Sequence, residues 1–555
     1  MAEEKQYSIK VALNRLYSLL HLERKAIYSI YFFAILTGLL SLSIPLGLQA
    51  IINFVLGGAF STSLYLLIVG ITVAILFTGV LQVIQLKINE RIQQDIFVQY
   101  AFEFARRIPR MDMMGVDGYY MPELLNRFFD AFNLQKGLSK ILLDIPLATI
   151  QIIFGILLLS FYNTTFIIFG LFLIIILIII IRFTSIDGFQ TNMRESDFKY
   201  KTAGWLQEMG RTMRSMKFAR ENNLHLKKAD KYITGWVEWR TRHFGVLLVQ
   251  IWSMIGFKTV ITVAMLVVGA FLLIEQQLNV GQFVAVEIVI LTILSSIEKF
   301  IQSLDKVYDV LTAVEKLGKV MDKPLESEGS LTLISETGLS IETKDLTFSY
   351  KPEKKPVLSE VNLTIASGSV VCIQGGENSG KSTLLKLLTG AYTNFEGQLL
   401  INQLPIGNYT HDSLRGNIGT FFSQSEIFEG TVWENISLGS AKYTLNEMVE
   451  LSERIGLKQY ISDSRQGFDT VLAPQGGKLN RAATIKLLLL RAISGKPKLL
   501  LLENPFEGLN DEAAMQVADF LLEELKGVTM IVTTNNDYFR QKADLIYRLD
   551  KGVIS

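Results

Sequence analysis

Apolar residues run nearly uninterrupted through six stretches, about Ala26–Val55, Ser63–Leu86, Leu142–Ser160, Thr165–Ile181, Gly245–Ile274 and Val280–Ile297. Each is near or above the ~20 residues a helix needs to cross a bilayer, so the pattern predicts six spanning helices. The short connections Leu56–Thr62, Phe161–Thr164 and Glu275–Asn279 contain no Lys or Arg. The two long connections carry Lys87, Arg91, Arg106, Arg107 and Arg110, then Arg194, Lys199, Arg211, Arg214 and Lys227. Positive charge is retained on the cytoplasmic side, which places the long connections and both termini there. Helical spacing persists through Lys87–Ile141 and Arg182–Phe244, so the spans are expected to continue as helices into the cytoplasm. Pro109, Gly115, Gly118, Pro122, Gly204 and Gly210 predict turns within them.

The stretch 1–25 lacks a signal-peptide pattern. Its Ile9, Val11, Ala12, Leu16 and Leu19 lie among Lys10, Arg15 and Arg24, which predicts a helix lying in the inner interface. A six-span domain over 26–322 follows, ending in a charged helix, Lys299–Asp322. A linker over 323–338 leads to a soluble domain, 339–555. There, strand signals at Leu346–Tyr350, Val370–Ile373, Lys498–Leu502 and Thr529–Val532 alternate with helical stretches, the pattern of a mostly parallel sheet. The fold class expected is thus an α-helical six-span transmembrane domain fused to an α/β domain.

Composition narrows the function. The chain has 555 residues, 49% of them hydrophobic, with 54 Lys+Arg against 53 Asp+Glu. This excludes a disordered chain and a strongly basic nucleic-acid binder, so membrane lipid is an expected partner and nucleic acid is not. One cysteine, Cys372, and four histidines leave no material for a disulfide framework or a cysteine-rich metal centre. Cys372 reads as a small core residue.

The strongest chemical signal is Gly375-Gly376-Glu377-Asn378-Ser379-Gly380-Lys381-Ser382-Thr383, preceded by the strand run Val370–Ile373 and followed by an apolar helix. This is G-x-x-x-x-G-K-[ST] in its strand–loop–helix setting. Glycines let the backbone wrap phosphate, successive N–H groups and the helix start present positive charge, Lys381 neutralises phosphates, and Ser382 can ligate Mg²⁺. ATP with Mg²⁺ is the expected ligand.

Six spans, two long cytoplasmic connections, Tyr350, this loop, Gln424 within Phe421–Asn435, and the apolar run ending at Pro505 together resemble an ABC exporter half-transporter. The chain is similar to peptidase-lacking relatives of bacterial type I secretion and peptide exporters, and no cysteine-peptidase extension is expected. The resemblance implies that Tyr350 stacks on adenine. It also implies that Gln424 links Mg²⁺ or the attacking water to the membrane domain, so that Ser382, Gln424 and Glu503 form the metal set. It further implies a multi-pass protein of the bacterial inner membrane, working as a homodimer or as a heterodimer with another half-transporter. Secretion-system proteins are further partners in that picture.

Other positions depart from the family pattern. The signature pentapeptide falls on Leu479-Asn480-Arg481-Ala482-Ala483, where Asn480 can cap a helix but Arg481 and Ala482 replace glycines. Glu503 stands at the metal-site Asp position and Asn504 at the catalytic Glu position. Asn510 and Asn535 replace an Asp and the switch His. A neutral amide cannot take a proton from water, so no catalytic residue is confidently assigned and slow hydrolysis is expected. The main reading is an ATP-dependent exporter subunit that binds MgATP and hydrolyses it poorly. The alternative is a non-pumping ATP-binding regulatory or scaffold subunit of a membrane secretion assembly.

Within the spans, Lys258 lies 19 residues before Gln277 and Glu298 lies 21 after it, so the two reach similar depth and can pair. Glu287, in the last span, is the third ionisable candidate for a transport role. Turns near Val116–Leu125 and Met209–Lys217 are expected, by resemblance, to couple to the nucleotide domain.

Overall fold

A computed structural model describes residues 7–58, 62–163, 165–218, 223–351, 355–423, 426–439, 442–463, 466–476 and 479–555. The chain divides into two compact units, Met1–Pro109 with Gly118–Lys323, and Arg110–Asp117 with Pro324–Ser555.

The first unit is helical. It contains α1 (Ile9–Leu22), α2 (Arg24–Ser41), α3 (Ser43–Leu56) and α4 (Thr62–Arg107). The second unit's α5 (Met113–Val116) interrupts it in sequence. The helices α6 (Met121–Leu125), α7 (Asp130–Tyr162), α8 (Thr165–Arg211), α9 (Met213–Lys217), α10 (Leu224–Ile274) and α11 (Val280–Met321) complete the first unit. Among the described residues, six spans are long and apolar enough to cross a membrane, with α2 and α3 together forming the first. The first span is broken at Leu42. Pro45 lacks the N–H that would reach back to Ser41, and its ring crowds that carbonyl.

The helices do run on well beyond the length that a bilayer crossing needs. The 51 residues of α10 rise ~77 Å, more than twice a hydrocarbon core of ~30 Å. The turn into α11 is fixed by a capping box: Asn279 Oδ1 accepts from Gln282 N, and Gln282 Oε1 accepts from Asn279 N, both at 2.8 Å. α11 is the packing centre, touching α1, α3, α7, α8 and α10. Half of its apolar window is buried, against 11–28% for the other five spans. Glycines bring helices close: a Cβ on Gly155 would sit 2.6 Å from Ile293, and one on Gly188 would sit 2.5 Å from the Tyr308 ring.

Two sequence expectations fail here. Gly204 and Gly210 do not turn the chain, because α8 runs through both to Arg211. At Gly204 the missing side chain serves packing instead, since a Cβ there would meet Glu123 Cγ at 3.3 Å. Pro122 likewise sits inside α6, in its first turn, where a missing N–H costs nothing. The segment 1–25 contains a helix, α1, whose Ala12 and Leu19 are buried and whose Arg15 pairs with Glu315 and Asp322.

The second unit is α/β. Its strands are β1 (Ile341–Phe348), β2 (Leu358–Ile365), β3 (Val370–Gln374), β4 (Glu396–Ile401), β5 (Leu404–Pro405), β6 (Ile418–Phe421), β7 (Gly430–Thr431), β8 (Val471–Leu472), β9 (Leu499–Glu503), β10 (Thr529–Thr533), β11 (Leu545–Asp550) and β12 (Val553–Ile554). A six-stranded sheet, β12-β11-β3-β10-β9-β6, is parallel except where β12 joins β11. A separate antiparallel sheet, β2-β1-β4-β5, was not legible as such, and β1 starts earlier than the expected Leu346. On β9, Leu500 and Leu502 enter one core and Leu499 and Leu501 the other, so a strand buried on both faces reads as a continuous apolar run. The helices are α12 (Lys381–Leu388), α13 (His411–Arg415), α14 (Val432–Ser437), α15 (Leu445–Arg454), α16 (Lys458–Asp463), α17 (Arg481–Ser494), α18 (Asp511–Glu524) and α19 (Asp537–Lys542).

The piece Arg110–Asp117 belongs to this unit by ordinary bonds. Asp112 N donates to Pro324 O and Glu326 N donates to Arg110 O, both at 2.9 Å. Met114 packs against the core that holds β1, β2 and α12.

Candidate nucleotide-binding site

At the carboxyl end of β3 the chain turns through Gly375–Gly380 and enters α12 at Lys381. Asn378 (φ +57°) and Gly380 (φ +103°) adopt left-handed backbone, which Asn tolerates and Gly takes freely. A Cβ on Gly375 would strike Leu549 O at 2.2 Å, whereas Gly376 faces open space. The loop wraps round the lysine: Lys381 Nζ donates to Gly375 O at 2.7 Å, Gly376 O at 2.6 Å and Ser379 Oγ at 3.2 Å.

A cavity of about 670 Å³ opens beside this loop, of a size suited to a small-molecule ligand. It is walled by Gly375, Gly376, Glu377, Asn378, Lys381 and Ser382 on one side. The facing wall is formed by the carboxyl ends of β9 and β10 and the residues after them: Glu503, Asn504, Phe506, Glu507, and Thr533 to Asn536. Parallel sheets bind ligands beyond the carboxyl ends of their strands. Thr533 Oγ1, wholly buried here, has no hydrogen-bond partner among the described residues.

Glu503 is the centre of this wall. It is 8% exposed and accepts from Ser382 Oγ, and also from Ser423 N and Ser423 Oγ, both at 3.0 Å. Burial works to raise its pKa, but these hydrogen bonds together with the charge of Lys386 outweigh burial and hold it below its ordinary value. It is therefore a carboxylate beside a serine hydroxyl, an oxygen set that suits a hard cation such as Mg²⁺. Burial pushes the Lys381 ammonium down, against the opposing pull of Glu503 and Glu377.

The other expected site residues fall as follows. Tyr350 is half-buried; its hydroxyl lies 3.1 Å from Thr383 Oγ1, and its ring meets Phe348 and Tyr392 edge-on at 5.0 and 5.5 Å. Gln424 lies outside the described residues. Asn504 takes a left-handed backbone (φ +46°) and donates its N–H to Thr533 O at 2.9 Å. Asn510 caps α18 and Asn480 caps α17, accepting from Ala513 N at 3.0 Å and Ala483 N at 2.7 Å. Arg481, the first residue of α17, pairs with Glu507 at 3.1 Å and lies across Gly508, while Leu479, Ala482 and Ala483 flank it. In the first unit Lys258 and Glu298 pair, and Glu287 is half-buried with no ion pair among the described residues.

Sequence reasoning missed Ser423, although it directly precedes the singled-out Gln424. It also gave no role to the Glu377 carboxylate beyond its place in the loop.

Comparison with known proteins accords with this geometry. Residues 27–297 match the ABC transporter transmembrane region, and residues 358–507 match the ABC transporter domain. The toxin RTX-I translocation ATP-binding protein of Actinobacillus pleuropneumoniae is 28% identical over 298 residues, covering 54% of this chain and 42% of the relative. The alpha-hemolysin translocation ATP-binding protein HlyB of Escherichia coli is 27% identical over 329 residues, covering 59% and 46%. The chain thus spans less than half the length of the curated relatives it matches. A solved bacterial Atm1-family ABC exporter with ATP bound shares the fold, with a TM-score of 0.82 at 18% identity over 96% of this chain and 94% of that one. With the family's transmembrane region and its phosphate-loop domain successive on one polypeptide of this fold, the chain belongs to the ABC transporters.

Proposed function

We propose that this chain is one half of a dimeric ABC exporter in the bacterial inner membrane, and that it binds MgATP but hydrolyses it slowly. The single observation that carries the reading is the asymmetry of the cavity. Lys381, Ser382 and Glu503 line it with groups that hold phosphate and metal, whereas Asn504 and Asn535 offer only amides where a base and its partner are expected. Loop N–H groups and the Lys381 ammonium would position the phosphates. Ser382 and Glu503 would hold Mg²⁺, which supplies charge neutralisation when bound. An attacking water must lose a proton, and neither amide has the basicity to receive it; loss of such a base typically costs ~10²–10⁴-fold in rate.

The names of the relatives support translocation, and the exposed apolar faces of five spans are compatible with lipid and a second subunit. The test is nucleotide trapping alongside phosphate release from the full-length protein in lipid. Stoichiometric retention of ATP with slow release, both lost in Lys381→Ala, is the expected result. Release at a rate typical of active transporters would overturn the slow-hydrolysis reading.

A further inference from the structure

Outside their apolar runs, α7, α8 and α11 bring polar side chains together around a small cavity of about 60 Å³. Asp130, the first residue of α7, lines it with Ser196 of α8 and Thr312 of α11, and all three are more than nine-tenths buried. Asp130 Oδ2, Ser196 Oγ and Thr312 Oγ1 have no hydrogen-bond partner among the described residues. The other carboxylate oxygen of Asp130 accepts from Asn133 Nδ2 at 3.0 Å and from Lys199 Nζ at 3.1 Å. The Tyr200 hydroxyl interacts with the Asp130 carboxylate but closes no hydrogen bond of normal geometry with it. Asn192, which also lines the cavity, gives its Nδ2 to Asp309 Oδ1 at 3.0 Å, as Asn133 gives its own to Asp130. Both amides are thereby left with their carbonyl oxygens as acceptors.

The unspent groups are all oxygens able to accept, and charge is arranged to match, with acids inside and bases outside. Lys199 and Arg240 answer Asp130 and Glu195 at 3.1 and 3.3 Å, but both cations are nearly half exposed and screened. Lys306 answers Asp309 at 2.8 Å and is shared with Asp305 at 3.1 Å. Arg127 adds a further positive charge on the Tyr200 side. Buried oxygens with their compensating charges held at the rim suit a hard cation. Among the described residues no three acidic, His or Cys side chains are grouped to chelate a metal ion, and a single wholly unspent carboxylate oxygen matches one positive charge rather than two. The volume takes an alkali ion with a water or two. We infer that α7, α8 and α11 enclose a site for Na⁺ or K⁺, held by side-chain oxygens of Asp130, Asn192, Ser196 and Thr312, and that the ion pins the start of α7 to the other two helices. This site owes nothing to the nucleotide reading.

The experiment is amide hydrogen exchange on the full-length, nucleotide-free protein in nanodiscs, in NaCl, KCl or choline chloride at matched ionic strength. Peptides covering 130–134, 192–199 and 309–312 should exchange about tenfold more slowly in an alkali salt than in choline, once the ion is at about ten times its dissociation constant. Thr312→Val, which removes one oxygen without altering charge, should reduce that protection severalfold, and Asp130→Asn should abolish it. Lys199→Gln should enlarge it, because the tethered ammonium competes for Asp130. Equal exchange in all three salts, the behaviour of a cavity that holds water alone, would overturn the inference. Protection that survives both Thr312→Val and Asp130→Asn would overturn the assignment to these residues. A larger response to millimolar Ca²⁺ than to either alkali ion would overturn the monovalent reading. Should Asp130→Asn fail to fold, Thr312→Val and Lys199→Gln decide the question in its place: opposite shifts uphold the site, and no shift in either overturns it.

Discussion

Lys258 Nζ lies 3.1 Å from Glu298 Oε2, joining α10 to α11 forty residues apart in sequence. Removing one partner leaves the other charge to find water or lipid headgroups alone, whereas removing both leaves two apolar-compatible helices. Single Lys258→Ala and Glu298→Ala variants in lipid are expected to unfold more readily than the double variant predicts by addition, with a coupling of about 1 kcal/mol. A double-mutant cycle by thermal unfolding checks this. Additivity would mean the contact is incidental.

Asn504 occupies a left-handed backbone position that Asn accepts and Glu resists. Asn504→Glu should therefore raise phosphate release by ~10²-fold while lowering stability by about 1 kcal/mol. Adding Asn535→His should raise turnover further. Unchanged release in the double variant would show that something other than a missing base limits the rate.

Glu503 titrates below its ordinary value of 4.5, so its ionised form favours the folded state. The sign follows: its contribution is fully present above about pH 5 and is lost as the pH falls through its depressed folded-state pKa. Denaturant unfolding of the full chain at pH 6 should separate wild type from Glu503→Gln, and the difference should shrink on acidification. A gap that stays constant to about pH 3.5 would assign the stabilisation to packing instead.

Burial pushes the Cys372 thiol up to about 11, and its Sγ faces Thr534 O at 3.8 Å inside β3. At pH 8 the thiolate should be about a hundredfold scarcer than in an unperturbed thiol, and access is blocked as well. Maleimide labelling should be negligible in the folded chain and complete after denaturation. Rapid labelling of folded protein would contradict the placement.

What could be read from the sequence divides along physical lines. The six spans were legible because bilayer crossing imposes ~20 apolar residues, and the phosphate loop because its glycines and lysine are set by local backbone geometry. Gly204 misled because a helical glycine can mark either a turn or a close contact, and only the neighbour, Glu123, decides. β1, β2 and β4 were obscured because their pairing is long-range and antiparallel, with exposed charges such as Lys344 and Glu360 breaking the apolar run. The role of Ser423 depends on meeting Glu503 eighty residues away, which no local pattern encodes.

The chain crosses between its two units three times, after Pro109, after Asp117 and after Lys323. Dissection by a single cut is therefore not clean. A soluble fragment begun at Pro324 would leave behind the eight residues that bond to Pro324 and Glu326 and fill the space occupied by Met114. Weak nucleotide affinity in such a fragment would reflect an incomplete body, and the remedy is to supply Arg110–Asp117 as a tethered peptide before judging the isolated domain.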